Sequence, residues 1–142
     1  MLLELGRLRP FVRGRIDIPS QGVAGVVPFL VDTGADFIPL APSQADQLRI
    51  DLSRLHVAER IAGIGGAMPT YYCASILRFS NISLELRLRV LVPVGKAQRT
   101  ALTRIPSVLG RDVLSHFALF LEERTRRVLL LEPAEVELLS IP

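Results

Sequence analysis

Along residues 81–90, NISLELRLRV, apolar and polar positions alternate without a break. Ile82, Leu84, Leu86, Leu88 and Val90 point one way and Ser83, Glu85, Arg87 and Arg89 the other, the period of a strand with one wet face. Similar patterns run through FVRGRIDI (11–18), VAGVVPFLV (23–31), TYYCASILRF (70–79), FALFLEE (117–123) and RVLLLE (127–132). Turn chemistry bounds them: Pro19 and Gly22, Pro93 and Gly95, and the charged EERTRR tip. The pattern predicts a mainly β protein.

Two short helices are expected beside the strands. PSQADQL (42–48) offers Ser43 as an N-cap after Pro42, and GRDVLSHF (110–117) puts Asp112 near a helix start, where the macrodipole favours an anion. The final AEVELLSIP keeps an apolar alternation that a solvated tail would not need, so this segment is expected to pair with something. No repeat or linker divides the 142 residues, a length that suits one domain with one core.

Composition narrows the class. With 49% hydrophobic and 22% charged residues the chain is too apolar for a disordered segment. Its longest uncharged stretch, Ile61 to Leu77, contains Gly63, Gly65, Gly66 and Pro69 and does not read as a membrane-spanning helix. Glu4, Arg7 and Arg9 interrupt the apolar opening and argue against a secretory signal, so a cytoplasmic location is expected. Cys73 is the only cysteine, which excludes an intrachain disulfide and a thiolate-rich metal site and leaves a small buried hydrophobe as its simplest role. The net charge of +3 rests almost wholly on arginine, with Lys96 the only lysine, and these arginines are scattered rather than run together. A nucleic-acid partner is therefore not expected. His56 and His116 are too isolated for a metal site, and no Ser-His-Asp set stands out. Asn81-Ile82-Ser83 fits a glycosylation sequon but falls in a predicted strand.

Residues 29–40, FLVDTGADFIPL, pose a chemical question. An aspartate entering an apolar strand is costly to desolvate unless hydrogen bonds or an opposing charge hold it. Two carboxylates that share a proton can act as base and acid in one hydrolysis, because like charges about 3 Å apart cannot both ionise. Gly34 would allow a tight turn around Asp32, with backbone donors and the Thr33 hydroxyl meeting its oxygens. Taken alone, Asp32 also fits a turn aspartate that accepts backbone hydrogen bonds.

LVDTGAD resembles the active-site turn of the retroviral-type aspartic proteases, the retropepsins and their cellular and bacterial relatives. Two further stretches follow in that family's order. AGIGGAMPTYY (62–72) is similar to its glycine-rich flap, with Gly63, Gly65 and Gly66 bending the hairpin and Ile64 at the tip, although an ordinary hairpin would read the same way. SVLGRDVLSHF (107–117) is similar to the stretch of two hydrophobic residues and a glycine that precedes the family's short C-terminal helix. The resemblance spans about residues 10–132, leaving 133–142 as a C-terminal segment that could enter a dimer interface. It implies a closed β-barrel with a flap hairpin and one or two short helices. Only one Asp-Thr/Ser-Gly turn is present, so the second aspartate has to come from another copy across a C2 axis.

The resemblance implies an aspartic endopeptidase acting on extended peptides or unfolded segments, without metal or organic cofactor. Asp32 would activate water and protonate the leaving amine in alternation with its mate, and Thr33 would lock the two turns together. Gly34 would offer its carbonyl to substrate, Asp36 would bind substrate backbone, and Ile64, Gly65 and Gly66 would hold substrate from above. Asp36 and Arg111 would form an ion pair near the dimer contact, as two charges in apolar context are best explained by each other. Phe37, the inserted helix at 42–48 and Asp112 depart from the retroviral pattern, so subsite preferences do not carry over. The alternative reading is a dimeric peptide-binding module of the same fold that does not cut.

Overall fold

The computed structural model describes residues 2–4, 7–63, 66–79, 82–125 and 127–139. Strands dominate the chain. β1 (Leu2–Glu4) and β2 (Arg7–Arg9) pair as a short ribbon, followed by β3 (Phe11–Ile18) and β4 (Val23–Val31). β5 (Pro39–Leu40) leads into helix α1 (Pro42–Gln47). β6 (His56–Gly63), β7 (Gly66–Phe79) and β8 (Ile82–Leu91) form consecutive antiparallel pairs. Helix α2 (Gly95–Leu102), β9 (Ser107–Leu109) and helix α3 (Arg111–Leu114) follow. The chain then forms a separate hairpin, β10 (Ala118–Glu122) with β11 (Arg127–Leu131), and helix α4 (Pro133–Leu138).

Seven strands make one sheet in the order β5-β8-β7-β3-β4-β9, with β6 added on β7. The sheet curls until its two ends nearly meet: the Ala41 N–H, just after β5, donates to the buried Ser107 Oγ on β9 at 2.9 Å. A nearly closed barrel results, as the sequence implied.

The alternation in β8 is realised as expected. Leu88 and Val90 are fully buried, while Ser83, Glu85 and Arg87 are exposed. Inside the barrel they join Ile16 and Ile18 of β3, Val27 and Phe29 of β4, and Leu77 of β7. Each such side chain contributes roughly 1.5–3 kcal/mol by leaving water. This core is the rigid floor beneath the loop that carries Asp32. Cys73 belongs to it, and burial pushes its thiol up to about 11.

Several expectations need correction. Ser43 is not an N-cap: α1 starts two residues earlier than that would give, with Pro42 at its first position and Ala41 as the flanking residue. Proline suits that place because the missing N–H would have had no helical partner. α2 was unexpected, since Pro93 and Gly95 read as turn signals. It has one buried anchor, Leu102, packed with Leu91 and Ile105, too narrow a stripe to show in the sequence pattern. The tail is also helical. Glu132 and Glu135 form a capping box around Pro133, with the Glu132 N–H donating to Glu135 Oε2 at 2.7 Å, and this local bonding overrides the strand-like alternation of 134–139. β7 extends back to Gly66, four residues before the predicted strand begins.

Candidate active site

Asp32 stands where β4 ends. Its strand runs parallel to β9, with Val31 opposite Leu109, so the chain leaves both strands on the same side of the barrel. The Asp32 N–H donates to the Leu109 carbonyl at 3.2 Å, which ties the start of the turn to the end of β9. The turn then closes on itself. The Ala35 N–H donates to the Asp32 carbonyl at 3.3 Å, and the Gly34 N–H donates to Asp32 Oδ1 at 2.9 Å.

That last bond orients the carboxylate and occupies one oxygen. Gly34 fits closely under the carboxylate: a Cβ there would lie 3.2 Å from Asp32 Oδ1, and the side chain would have to give by a few tenths of an ångström. Asp32, Thr33 and Gly34 are all exposed in the protomer. The expectation of a buried aspartate therefore changes: Val27 and Phe29 of the strand are buried, and the carboxylate emerges into solvent in the protomer.

Beneath the turn, the loop 35–38 is clamped to the segment 110–112. The Arg111 N–H donates to the Ala35 carbonyl at 2.7 Å and the Asp112 N–H to the Asp36 carbonyl at 3.1 Å. Gly110 makes the close approach possible, since a Cβ on it would meet the Phe37 carbonyl oxygen at 2.0 Å. The two stretches that the sequence singled out are thus joined through their backbones. Their expected side-chain bond is different: among the described residues no ion pair links Asp36 to Arg111 in the protomer.

Asp112 does work that sequence reading missed. Its Oδ2 accepts from the Ile38 N–H at 3.2 Å and its Oδ1 from the Val113 N–H at 2.9 Å. Burial pushes its carboxyl above the ordinary value, against the lowering effect of these bonds and of Arg89. Arg89 is held to the same loop, because its N–H donates to the Ile38 carbonyl at 3.3 Å. Its guanidinium carbon lies 3.9 Å from the centre of the Phe37 ring. Ser107, also overlooked, closes the barrel beside the site through Ala41. Apart from the Asp112–Val113 bond, none of these contacts has a short-range sequence signal, as the partners are 51 to 74 residues apart.

The β6–β7 hairpin pairs Gly63 with Gly66. Ile64 and Gly65, the expected flap tip, lie outside the described residues. Elsewhere a cleft of about 470 Å³ opens between α1 and α2, lined by Pro42, Asp46, Leu91, Arg99 and Leu102. No residue of the Asp32 turn borders it. Among the described residues no group of three or more His, Cys, Asp or Glu could hold a metal ion, and no helix is long and apolar enough to cross a membrane.

The Asp-Thr-Gly turn is thus hydrogen-bonded, faces solvent and stands at the end of β4, beside the parallel strand β9 of a small barrel. A family model described as aspartyl protease matches residues 20–113, and the chain belongs to that family. Its fold is that of the retropepsin-like enzymes. It is similar to EIAV protease in complex with the inhibitor HBY-793, with 22% identity and a TM-score of 0.54 over 80% of this chain and 92% of that one. A retropepsin-like aspartic protease from Rickettsia conorii is 17% identical with a TM-score of 0.56, covering 80% of this chain and 85% of that one. The retroviral protease-like domain of Ddi1 from Leishmania major is 12% identical with a TM-score of 0.52, covering 87% and 89%. A search of curated proteins returned no match.

Proposed function

We propose that the chain is a one-domain aspartic endopeptidase that acts as a C2 homodimer on extended peptides or unfolded protein segments. The carrying observation is the Asp32 turn: it is braced by Gly34 and Leu109, exposed, and present once per chain. A single carboxylate cannot be base and acid at the same moment, whereas two that share a proton can. One Asp32 draws a proton from water as the water attacks the peptide carbonyl, and its mate donates a proton to the departing amine.

The remaining roles are those that the family resemblance implies. Thr33 would bridge the two turns at the axis, and the Gly34 carbonyl and Asp36 would bind substrate backbone. Ile64, Gly65 and Gly66 of the β6–β7 hairpin would cover the peptide, which would lie as an added strand. Arg111 would support the floor beneath Asp36.

The dimer is supported by an uncovered apolar surface. Phe120, Leu121 and Leu129 of the β10–β11 hairpin are each more than 40% exposed, and Leu138 on α4 is 84% exposed. A two-stranded hairpin with apolar groups on both faces is marginal in water unless something packs against it.

The test is cleavage of a mixed peptide library between pH 3.5 and 7.5 by the wild type and by Asp32→Asn at equal concentration. Cutting by the wild type alone supports the carboxylate pair, with a loss of roughly 10²-fold or more in the variant. Equal cutting by both proteins refutes the role of Asp32. Binding without cutting favours the peptide-binding module.

A further inference from the structure

Phe37, exposed, and Arg89, partly exposed, stack on each other at the loop that follows the Asp32 turn. Phe37 lies five residues after Asp32 in the clamped loop, and the residue is 43% exposed. A cation–π contact at an exposed site is weak, little return for leaving an aromatic ring in water. Such a ring, in the loop that follows the Asp32 turn, is a surface on which a ligand can rest.

Arg89 carries the charge of the pair and is itself partly exposed. Among the described residues no carboxylate comes within ion-pair distance of it. Asp112 is the acidic group that faces it, and both Asp112 oxygens are already taken by the Ile38 and Val113 N–H groups. Of the guanidinium's donors, one reaches Thr70 Oγ1, at a long 3.5 Å. A planar fork with five N–H groups is suited to a carboxylate that arrives from outside. Arg87, two residues away on the same face of β8, adds positive potential and packs 4.4 Å from the Tyr72 ring centre, while Glu85 offsets part of it further along the strand.

We propose that Phe37 and Arg89 form a substrate subsite that selects a peptide with a glutamate or aspartate close to the cleaved bond. The aliphatic part of the acidic side chain would lie against the Phe37 ring and its carboxylate would meet the Arg89 fork. This rests on the protease reading for its substrate class, yet it can be tested without cleavage.

The probes are fluorescein-labelled octapeptides of Val, Leu, Thr and Ser in which a single Glu, Gln or Lys is moved through every position. Binding is measured by anisotropy with Asp32→Asn, and cleavage with the wild type. At one position Glu is expected to bind at least 10-fold more tightly than Gln, with Lys weakest, and Arg89→Gln is expected to bring Glu and Gln within twofold. Arg89→Lys keeps the charge but not the fork, so its preference should fall at least threefold, and it serves if Arg89→Gln does not fold. Equal binding of Glu and Gln at all positions, or an unchanged preference in the Arg89 variants, overturns the subsite. If the wild type cuts without any acidic preference, the subsite fails and the protease reading survives. If nothing is cut while the Arg89-dependent preference persists in binding, the subsite stands and proteolysis falls. Absence of both binding and cutting overturns both.

Discussion

Gly110 lies so close to Phe37 that a methyl group on it would meet the Phe37 carbonyl oxygen at 2.0 Å and the Ala35 carbonyl oxygen at 2.9 Å. Both obstacles are backbone atoms, so no side-chain rotation relieves the clash. Gly110→Ala is therefore expected to destabilise the fold by about 2 kcal/mol or more and to push the 35–38 loop, with the Asp32 turn, off its floor. Paired thermal unfolding and peptide cleavage assays check this. A variant with wild-type stability and activity would show that the contact between the two segments has slack.

Asp112 connects the same two segments through a carboxylate whose burial raises its pKa. An acid raised in the fold contributes its full stability below the unfolded value, near 3.9, and loses it as pH rises through the folded value. Asn offers one acceptor oxygen where Asp offers two, so Asp112→Asn should cost about 1–3 kcal/mol through an unsatisfied N–H. It also removes the titration. The variant's deficit should be largest near pH 3.5 and narrow toward pH 7, as read by thermal unfolding at fixed protein concentration. A deficit that widens with pH would contradict the burial argument.

Cys73 is 4% exposed, with its thiol pushed up to about 11 by burial. At pH 8 the native protein should react with a thiol-specific reagent far more slowly than the unfolded chain, because the thiolate is scarce and enclosed. Stopped reaction and mass spectrometry measure the two rates. Equal rates would place Cys73 in a locally open part of the sheet.

The β10–β11 hairpin exposes Phe120, Leu121 and Leu129. If a second copy covers it, Phe120→Glu combined with Leu129→Glu should weaken association at least 10-fold in sedimentation while leaving the protomer folded, since neither side chain is in the barrel core. Cleavage per chain should fall most at low concentration. Unchanged association would move the contact to another surface.

Much of the β framework was legible because its cause is local. In β3, β4 and β8 the alternation of apolar and polar residues coincides with a sheet whose inner face is buried, so period and environment agree. The Asp32-Thr33-Gly34 turn could be picked out because it interrupts such a strand with residue types that hydrocarbon surroundings do not supply. α2 and α4 escaped notice for opposite reasons: α2 presents too narrow an apolar stripe, and α4 is set by a capping box within a sequence that alternates like a strand.

What the sequence determined by itself is the strands β3, β4, β7, β8, β10 and β11 and the place of the Asp32-Thr33-Gly34 turn, since both depend on neighbours a few residues apart. The tertiary structure decided that Asp32 faces solvent, that the Arg111 and Asp112 N–H groups bond the Ala35 and Asp36 carbonyls where an Asp36–Arg111 side-chain pair was expected, and that Asp112, Arg89 and Phe37 gather at one loop. Those outcomes depend on the sheet curling until β5 and β9 meet at Ala41 and Ser107. Contacts created by closing a barrel join residues far apart in the chain, and no local pattern encodes them.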